Sequence, residues 1–143
     1  MLIREMTAED LDAVAGMESE NFTTPWKKDD FDDLLDCDDR GCMVAEEEGE
    51  IVGCVVYHDI LGDVDITNVQ VKEAFRGRSI GRKLMEAALE KARSVGGKEF
   101  TLEVRASNKA AISLYESLGF VEEGKRKNFY SDPVEDAIIM WLR

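Results

Sequence analysis

The sequence predicts a single α/β domain of the α+β kind: a mixed, mostly antiparallel sheet of about six to seven strands, with about four helices packed on both faces. Three observations carry that expectation. Between Cys42 and Val71, three β-rich runs are separated by the turn signals Glu48-Gly49 and Leu61-Gly62-Asp63, the pattern of an antiparallel meander. From Val64 onward a strand, an amphipathic helix and a strand follow in succession, which requires a parallel crossover in the same sheet. The 143 residues hold no repeat, linker or low-complexity tract, so residues 1–143 read as one domain with a core of its own.

The first segment, Leu2 to Glu5, reads as a short strand. Thr7-Ala8-Glu9-Asp10 resembles a capping box, and Leu11, Val14 and Ala15 follow at helical spacing to about Glu20. Asn21-Phe22-Thr23-Thr24-Pro25-Trp26 breaks that helix. Pro25 suits the start of a second one, with Trp26, Phe31, Leu34 and Leu35 on its apolar side. Phe22 and Trp26, beside a helix break, would either line a substrate slot or pack into the core.

The meander occupies Cys42–Glu46, Ile51–Ile60 and Val64–Val71. The helix that follows carries Ile80, Leu84, Ala87, Ala88 and Ala92 on one side and stops at Gly96-Gly97. Glu99 to Val104 alternates cleanly, Phe100, Leu102 and Val104 against Thr101 and Glu103. Ser107-Asn108 caps a further helix with an Ala111, Leu114, Tyr115, Leu118 stripe that ends at Gly119. Phe120–Tyr130 and Glu135–Leu142 are the last two strands, joined through Ser131-Asp132-Pro133-Val134.

Net charge is −13, with seven aspartates between Asp29 and Asp39 and then Glu46, Glu47, Glu48 and Glu50. That balance speaks against direct nucleic-acid binding, which needs a basic face. The acidic run is either a solvated face or an attractor for an amine or basic peptide. No apolar stretch reaches the ~18 residues of a membrane span, and the first residues lack a signal-peptide core, so a cytoplasmic location is expected. Cys37, Cys42 and Cys54 read as free thiols, and with the single His58 they offer no metal-ligand set.

Chemistry concentrates around Arg76-Gly77-Arg78-Ser79-Ile80-Gly81-Arg82. A strand ends at Val71, and a helix begins inside this basic, glycine-containing turn. Helix-start N–H groups have no internal partner, so the turn is suited to a phosphate-bearing ligand. Glu103 is an acid within an otherwise apolar strand, either solvated or a general base facing a cleft. Tyr115 lies on an apolar helical stripe, either as packing or as a ligand-facing hydroxyl. A tight turn at Arg105 to Asn108 links the two.

These blocks together resemble the GNAT superfamily of N-acetyltransferases: Val69-Gln70-Val71, the Arg76–Arg82 turn, Leu102-Glu103-Val104-Arg105-Ala106-Ser107-Asn108, and Leu114-Tyr115-Glu116-Ser117-Leu118-Gly119-Phe120. More narrowly they resemble the bacterial ribosomal-protein alanine N-acetyltransferases, with Glu135-Asp136-Ala137-Ile138-Ile139-Met140 as a further specific run and Phe22-x-x-Pro25-Trp26 in support. The resemblance implies a GNAT-like fold and acetyl-CoA as donor, with no metal. Val69, Gln70 and Val71 would pair with the pantetheine arm through backbone groups. Arg76, Gly77, Arg78, Ser79, Ile80, Gly81 and Arg82 would hold the pyrophosphate, and Asn108 would bond the pantetheine. Glu103 would be the general base and Tyr115 the acid. The implied acceptor is the N-terminal amine, an alanine by that likeness, of a small basic ribosomal protein of the small subunit. Lysine side chains or small-molecule amines are the alternative acceptors. A noncatalytic coenzyme-A-sensing or partner-binding module is the alternative of another class. One position departs from the superfamily pattern: Ser79 stands where glycine is common, and a positive φ there would strain it.

Overall fold

The computed structural model describes residues 1–22 and 25–143. Seven strands form one sheet: β1 (Leu2–Glu5), β2 (Arg40–Glu47), β3 (Glu50–Ile60), β4 (Asp63–Val71), β5 (Glu99–Arg105), β6 (Val121–Tyr130) and β7 (Glu135–Leu142). Their spatial order is β1-β2-β3-β4-β5-β7-β6. Every neighbouring pair is antiparallel except β4 and β5, which are parallel, as the crossover requires. Among the described residues four α-helices join the sheet: α1 (Leu11–Asn21), α2 (Lys28–Asp32), α3 (Ile80–Ser94) and α4 (Lys109–Ser117). No helix among the described residues is long and apolar enough to cross a membrane.

Alternation along the strands sorts the core into two layers. On one face Val52, Val55, Val64, Phe100, Leu102 and Met140 pack with Leu84, Met85 and Ala88 of α3 and Tyr115 of α4. On the other, Cys42, Val44, Cys54 and Val56 meet Val14 and Met17 of α1 and Phe31 of α2. The three cysteines are free thiols, two of them in this second layer.

The N-terminal expectation is met with a change of geometry. Asp10 reaches back to the Thr7 N–H at 2.8 Å, but the first turn after Thr7 is a 3-10 turn, Ala8–Asp10, and the α-helix starts only at Leu11. Arg4 explains the buried Asp10, gripping both of its oxygens at 2.7 and 2.9 Å.

The second helix needs correction. It does not begin at Pro25 but runs Lys28–Asp32, with Lys27 at its cap and the Lys27 N–H bonded to Asp30 at 2.8 Å. Trp26 therefore lies outside it, and Leu34 and Leu35 follow it in turns. Aspartate is a poor interior helix residue and a good first-turn one, so the acidic run allows a start at Lys28 and little continuation past Asp33. Thr23 and Thr24 lie outside the described residues.

One irregularity organises the rest of the molecule. Val56 pairs with Asn68 and Tyr57 with Ile66, leaving Thr67 as an extra residue in β4. A bulge bends its strand and raises the local twist. The parallel ladder of β4 on β5 runs from Asp63–Glu99 to Ile66–Leu102 and stops there, one residue before the bulge. Beyond it, β4 from Thr67 to Val71 and β5 from Glu103 to Arg105 part company, and a fork opens between two central strands.

Candidate active site

The fork supplies an unpaired strand edge inside a sheet. The Lys72 N–H bonds to Val52 O at 2.8 Å, on the β3 side. By strand alternation the N–H and C=O groups of Val69 and Val71 then face the fork. Val71 O already accepts from Arg76 Nε at 3.1 Å, which leaves Val69 N–H, Val69 C=O and Val71 N–H for a ligand chain.

At the wide end of the fork lies the basic turn. Gly77 has φ +82° with no atom within 4 Å of where a Cβ would be, so glycine is there for backbone conformation. Ser79 has φ +62° and ψ +21°, the left-handed region that the sequence flagged as a hazard, and its side chain makes no capping bond. The first N–H to bond back is that of Lys83, to Ser79 O at 3.1 Å, so those of Ile80, Gly81 and Arg82 point out of the helix start. Gly81 lies between strand and helix: a Cβ there would stand 3.5 Å from Leu114 and 3.9 Å from Val71. The anion turn thus borders both β4 and α4.

The turn's arginines are anchored rather than loose. Arg76 also donates to Asn21 Oδ1 at 3.0 Å, Arg78 lies over the Phe75 ring at 5.1 Å, and Arg82 donates to Ser117 at 2.6 Å. Each guanidinium has five N–H donors, so these contacts orient the group and leave others free. Three fixed cations and three free N–H groups are a donor set that fits a pyrophosphate.

Glu103 and Tyr115 stand on opposite layers. Phe100, Leu102 and Val104 point toward α3, so Glu103 points to the α1 side of the sheet. Its Oε2 is buried without a hydrogen bond, and Arg126 Nε is the cation beside it at 3.6 Å. Tyr115 is 7% exposed and tilts against Phe120 with ring centres 6.0 Å apart. Burial, with Tyr130 nearby, pushes its phenol up to about 12. Asn108 Oδ1 accepts the Ala111 N–H at 3.2 Å, and this cap leaves both amide N–H groups for a ligand.

Of the two aromatic residues read as candidates for an acceptor slot, Phe22 is exposed at the end of α1. Trp26 instead packs on Phe31 at 5.3 Å as part of the second layer. His58 is tied to the exposed Asp39 at 3.1 Å, a surface contact.

Several residues near the fork were given no role by the sequence, although Arg105, Ser107 and Glu135 lie inside its motifs. Arg105 lies over the Tyr130 ring at 4.4 Å and reaches Glu135 at 3.3 Å, and Glu135 accepts the Ser107 N–H at 2.5 Å. The Ser107 and Arg105 contacts hold the Glu135 carboxyl below its usual range. Half-burial and Glu103 push the Tyr130 phenol up, and the Arg105 charge opposes this. Asp65 is also raised by burial, opposed by His58 and Arg126. The fork therefore has an acidic wall on the α1 side and a basic turn at its mouth. Such a field favours a cation on one side and a polyanion on the other.

Known proteins of one family resemble this chain. The profile of the acetyltransferase (GNAT) family matches residues 11–120. A Bacillus subtilis (strain 168) protein, named as a candidate ribosomal protein bS18 alanine N-acetyltransferase, is 38% identical over 98% of this chain and 93% of its own. The Escherichia coli (strain K12) ribosomal protein bS18 alanine N-acetyltransferase is 32% identical over 98% of this chain and 95% of its own. The crystal structure of the enzyme of that name from Escherichia coli superposes with a TM-score of 0.88 at 32% identity, covering 99% of this chain and 92% of its own.

Proposed function

The chain belongs to the acetyltransferase (GNAT) family, and from that premise we propose that it transfers an acetyl group from acetyl-CoA to the N-terminal α-amine, an alanine by likeness to its relatives, of a small basic ribosomal protein. The observation that supports this best is the fork itself. It joins an open strand edge, a polyanion turn and an acidic wall carrying Glu103.

In this reading the backbone groups of Val69 and Val71 bind the pantetheine arm as an added strand would, and the amide N–H groups of Asn108 assist. Arg76, Gly77, Arg78, Ser79, Ile80, Gly81 and Arg82 hold the pyrophosphate. Glu103 takes the proton from the acceptor ammonium, directly or through a water. The amine lone pair then forms the new C–N bond while the C–S bond breaks; the nitrogen loses its second proton, which passes to the expelled thiolate, so the products are the amide and the coenzyme A thiol. The fork-facing N–H groups receive the oxyanion that develops between these events. Tyr115 donates a hydrogen bond to the departing sulfur.

The acceptor's acidity fits a single carboxylate. At pH 7 roughly a tenth of an α-amine with pKa ~7.8 is already neutral, against about four parts in ten thousand for a lysine amine at ~10.4. Exposed carboxylates from Asp29 to Asp39 lie in α2 and in the turns between it and β2, and would attract a basic chain.

The test is thiol release from acetyl-CoA with a peptide panel. A peptide starting Ala-Arg should be acetylated, and the same peptide with a blocked N-terminus should be inert. Acetylation that survives blocking, on an internal lysine, would overturn the α-amine reading. Coenzyme binding with no release for any amine would favour a sensing module instead.

A further inference from the structure

Among the described residues, two side-chain oxygens are buried without a hydrogen-bond partner: Asn68 Oδ1 and Glu103 Oε2. Buried polar atoms are paired in the great majority of cases, so an orphan marks strain or a missing partner. These two belong to one place. Asn68 lies just past the bulge on β4, and Glu103 is the first residue of β5 past the last parallel pair. Both side chains lie on the α1 face: Glu103 by alternation, Asn68 by its contact with Glu18 of α1. They stand on the two prongs of the fork.

Glu18 explains which end of the Asn68 amide is left over. Its carboxylate is 2% exposed and takes Asn68 Nδ2 at 2.6 Å and 3.1 Å on its two oxygens. A carboxylate only accepts, so it draws the amide nitrogen and turns the amide oxygen away. A carboxylate buried among amides rather than beside a cation is costly for a core. An apolar residue between Val14, Met17 and the sheet would pack at least as well. The arrangement is accounted for if the direction of the Asn68 oxygen matters.

We propose that Asn68 is a second acceptor-binding residue, whose Oδ1 receives one N–H of the attacking amine while Glu103 receives the other, and that Glu18 is the positioning residue that aims it. The inference rests on the acetyl-transfer reading above. It follows from counting donors: a primary amine presenting its lone pair to a carbonyl carbon has two N–H bonds to place, and the fork has two orphaned acceptors. With both satisfied, the lone pair has one direction left, which is the orientation that speeds attack.

Two peptides separate this from a structural role, one starting with alanine and one with N-methylalanine, whose neutral amine has a single N–H. In N68A, kcat/KM for the alanine peptide should fall about tenfold, the worth of one such hydrogen bond. The N-methyl peptide should change much less, so the enzyme's discrimination between the two narrows. Coenzyme A affinity, by titration calorimetry, should stay within about twofold, since neither side chain is in the pyrophosphate set. E18A should behave like N68A because the amide is released, and E18Q, which keeps an acceptor oxygen, should recover activity to within about threefold of wild type. An unchanged ratio between the peptides in N68A would overturn the inference, as would equal losses in E18Q and E18A. A wild-type protein that acetylates neither peptide would instead overturn the acetyl-transfer reading on which it stands.

Discussion

Replacing Tyr115 by phenylalanine tests how the leaving thiolate is handled. The phenol is 7% exposed, and burial pushes it up to about 12. The thiol it faces in the proposed reaction would have a pKa of about 8.5. Full proton transfer from such a tyrosine to the thiolate is uphill by roughly 3.5 units, or about 5 kcal/mol. A hydrogen bond to the developing charge carries no such penalty and contributes about 1.5–3 kcal/mol. Y115F should therefore lower kcat by about 10- to 100-fold, with the ring packing on Phe120 kept and coenzyme binding little changed. The pH profile separates donation from transfer. Followed by thiol release from pH 6 to about pH 10, wild type and Y115F should share the same alkaline behaviour, because a phenol held near 12 does not titrate there. An alkaline limb below about pH 9 that is present in wild type and absent in Y115F would refute the reasoning. It would show a tyrosine of lowered pKa that gives up its proton.

Two further substitutions read the scaffold. Ser79 sits at φ +62° without a capping bond, and a non-glycine residue there costs about 1 kcal/mol. In urea unfolding S79G should therefore exceed S79A in stability by about that amount, and equal values would remove the strain from the account. Asp10 is 6% exposed and held below the usual carboxylate range by Arg4, with Thr7 adding to it. Its contribution is present above the unfolded pKa of ~3.9 and disappears as pH falls through the lower folded value. D10N should cost about 2 kcal/mol at pH 7, and its stability curve should converge on wild type below pH ~4. A gap that stays constant across that range would mean that the ion pair is not what Asp10 supplies.

Much of this molecule is written in local patterns. The meander, the crossover and the alternation of Phe100, Leu102 and Val104 follow from period and turn residues, and they recur in the structure. Ser79 was visible as a departure from a pattern, and its positive φ is the physical form of that departure. The bulge at Thr67 was not visible, since an extra residue in a strand leaves no compositional mark when its neighbours are β-formers. Yet it is the bulge that coincides with the opening of the fork. Nor could spacing pair Glu18 with Asn68, fifty residues apart, or Arg105 with Tyr130 and Glu135, because those contacts exist only after the sheet is assembled. The start of α2 was misplaced for the opposite reason. Pro25 is a strong local signal, but Lys27 and Asp30 close the cap of a helix that starts three residues later, at Lys28.

The most direct measurement of the central claim is the pH dependence of kcat/KM for an alanine-initiated peptide in wild type and E103Q. Glu103 as the base predicts a loss of about a hundredfold or more near pH 7. The loss should shrink as pH rises past ~7.8, where the acceptor amine is already neutral. Wild-type rates in E103Q, or a loss of the same size at every pH, would contradict it.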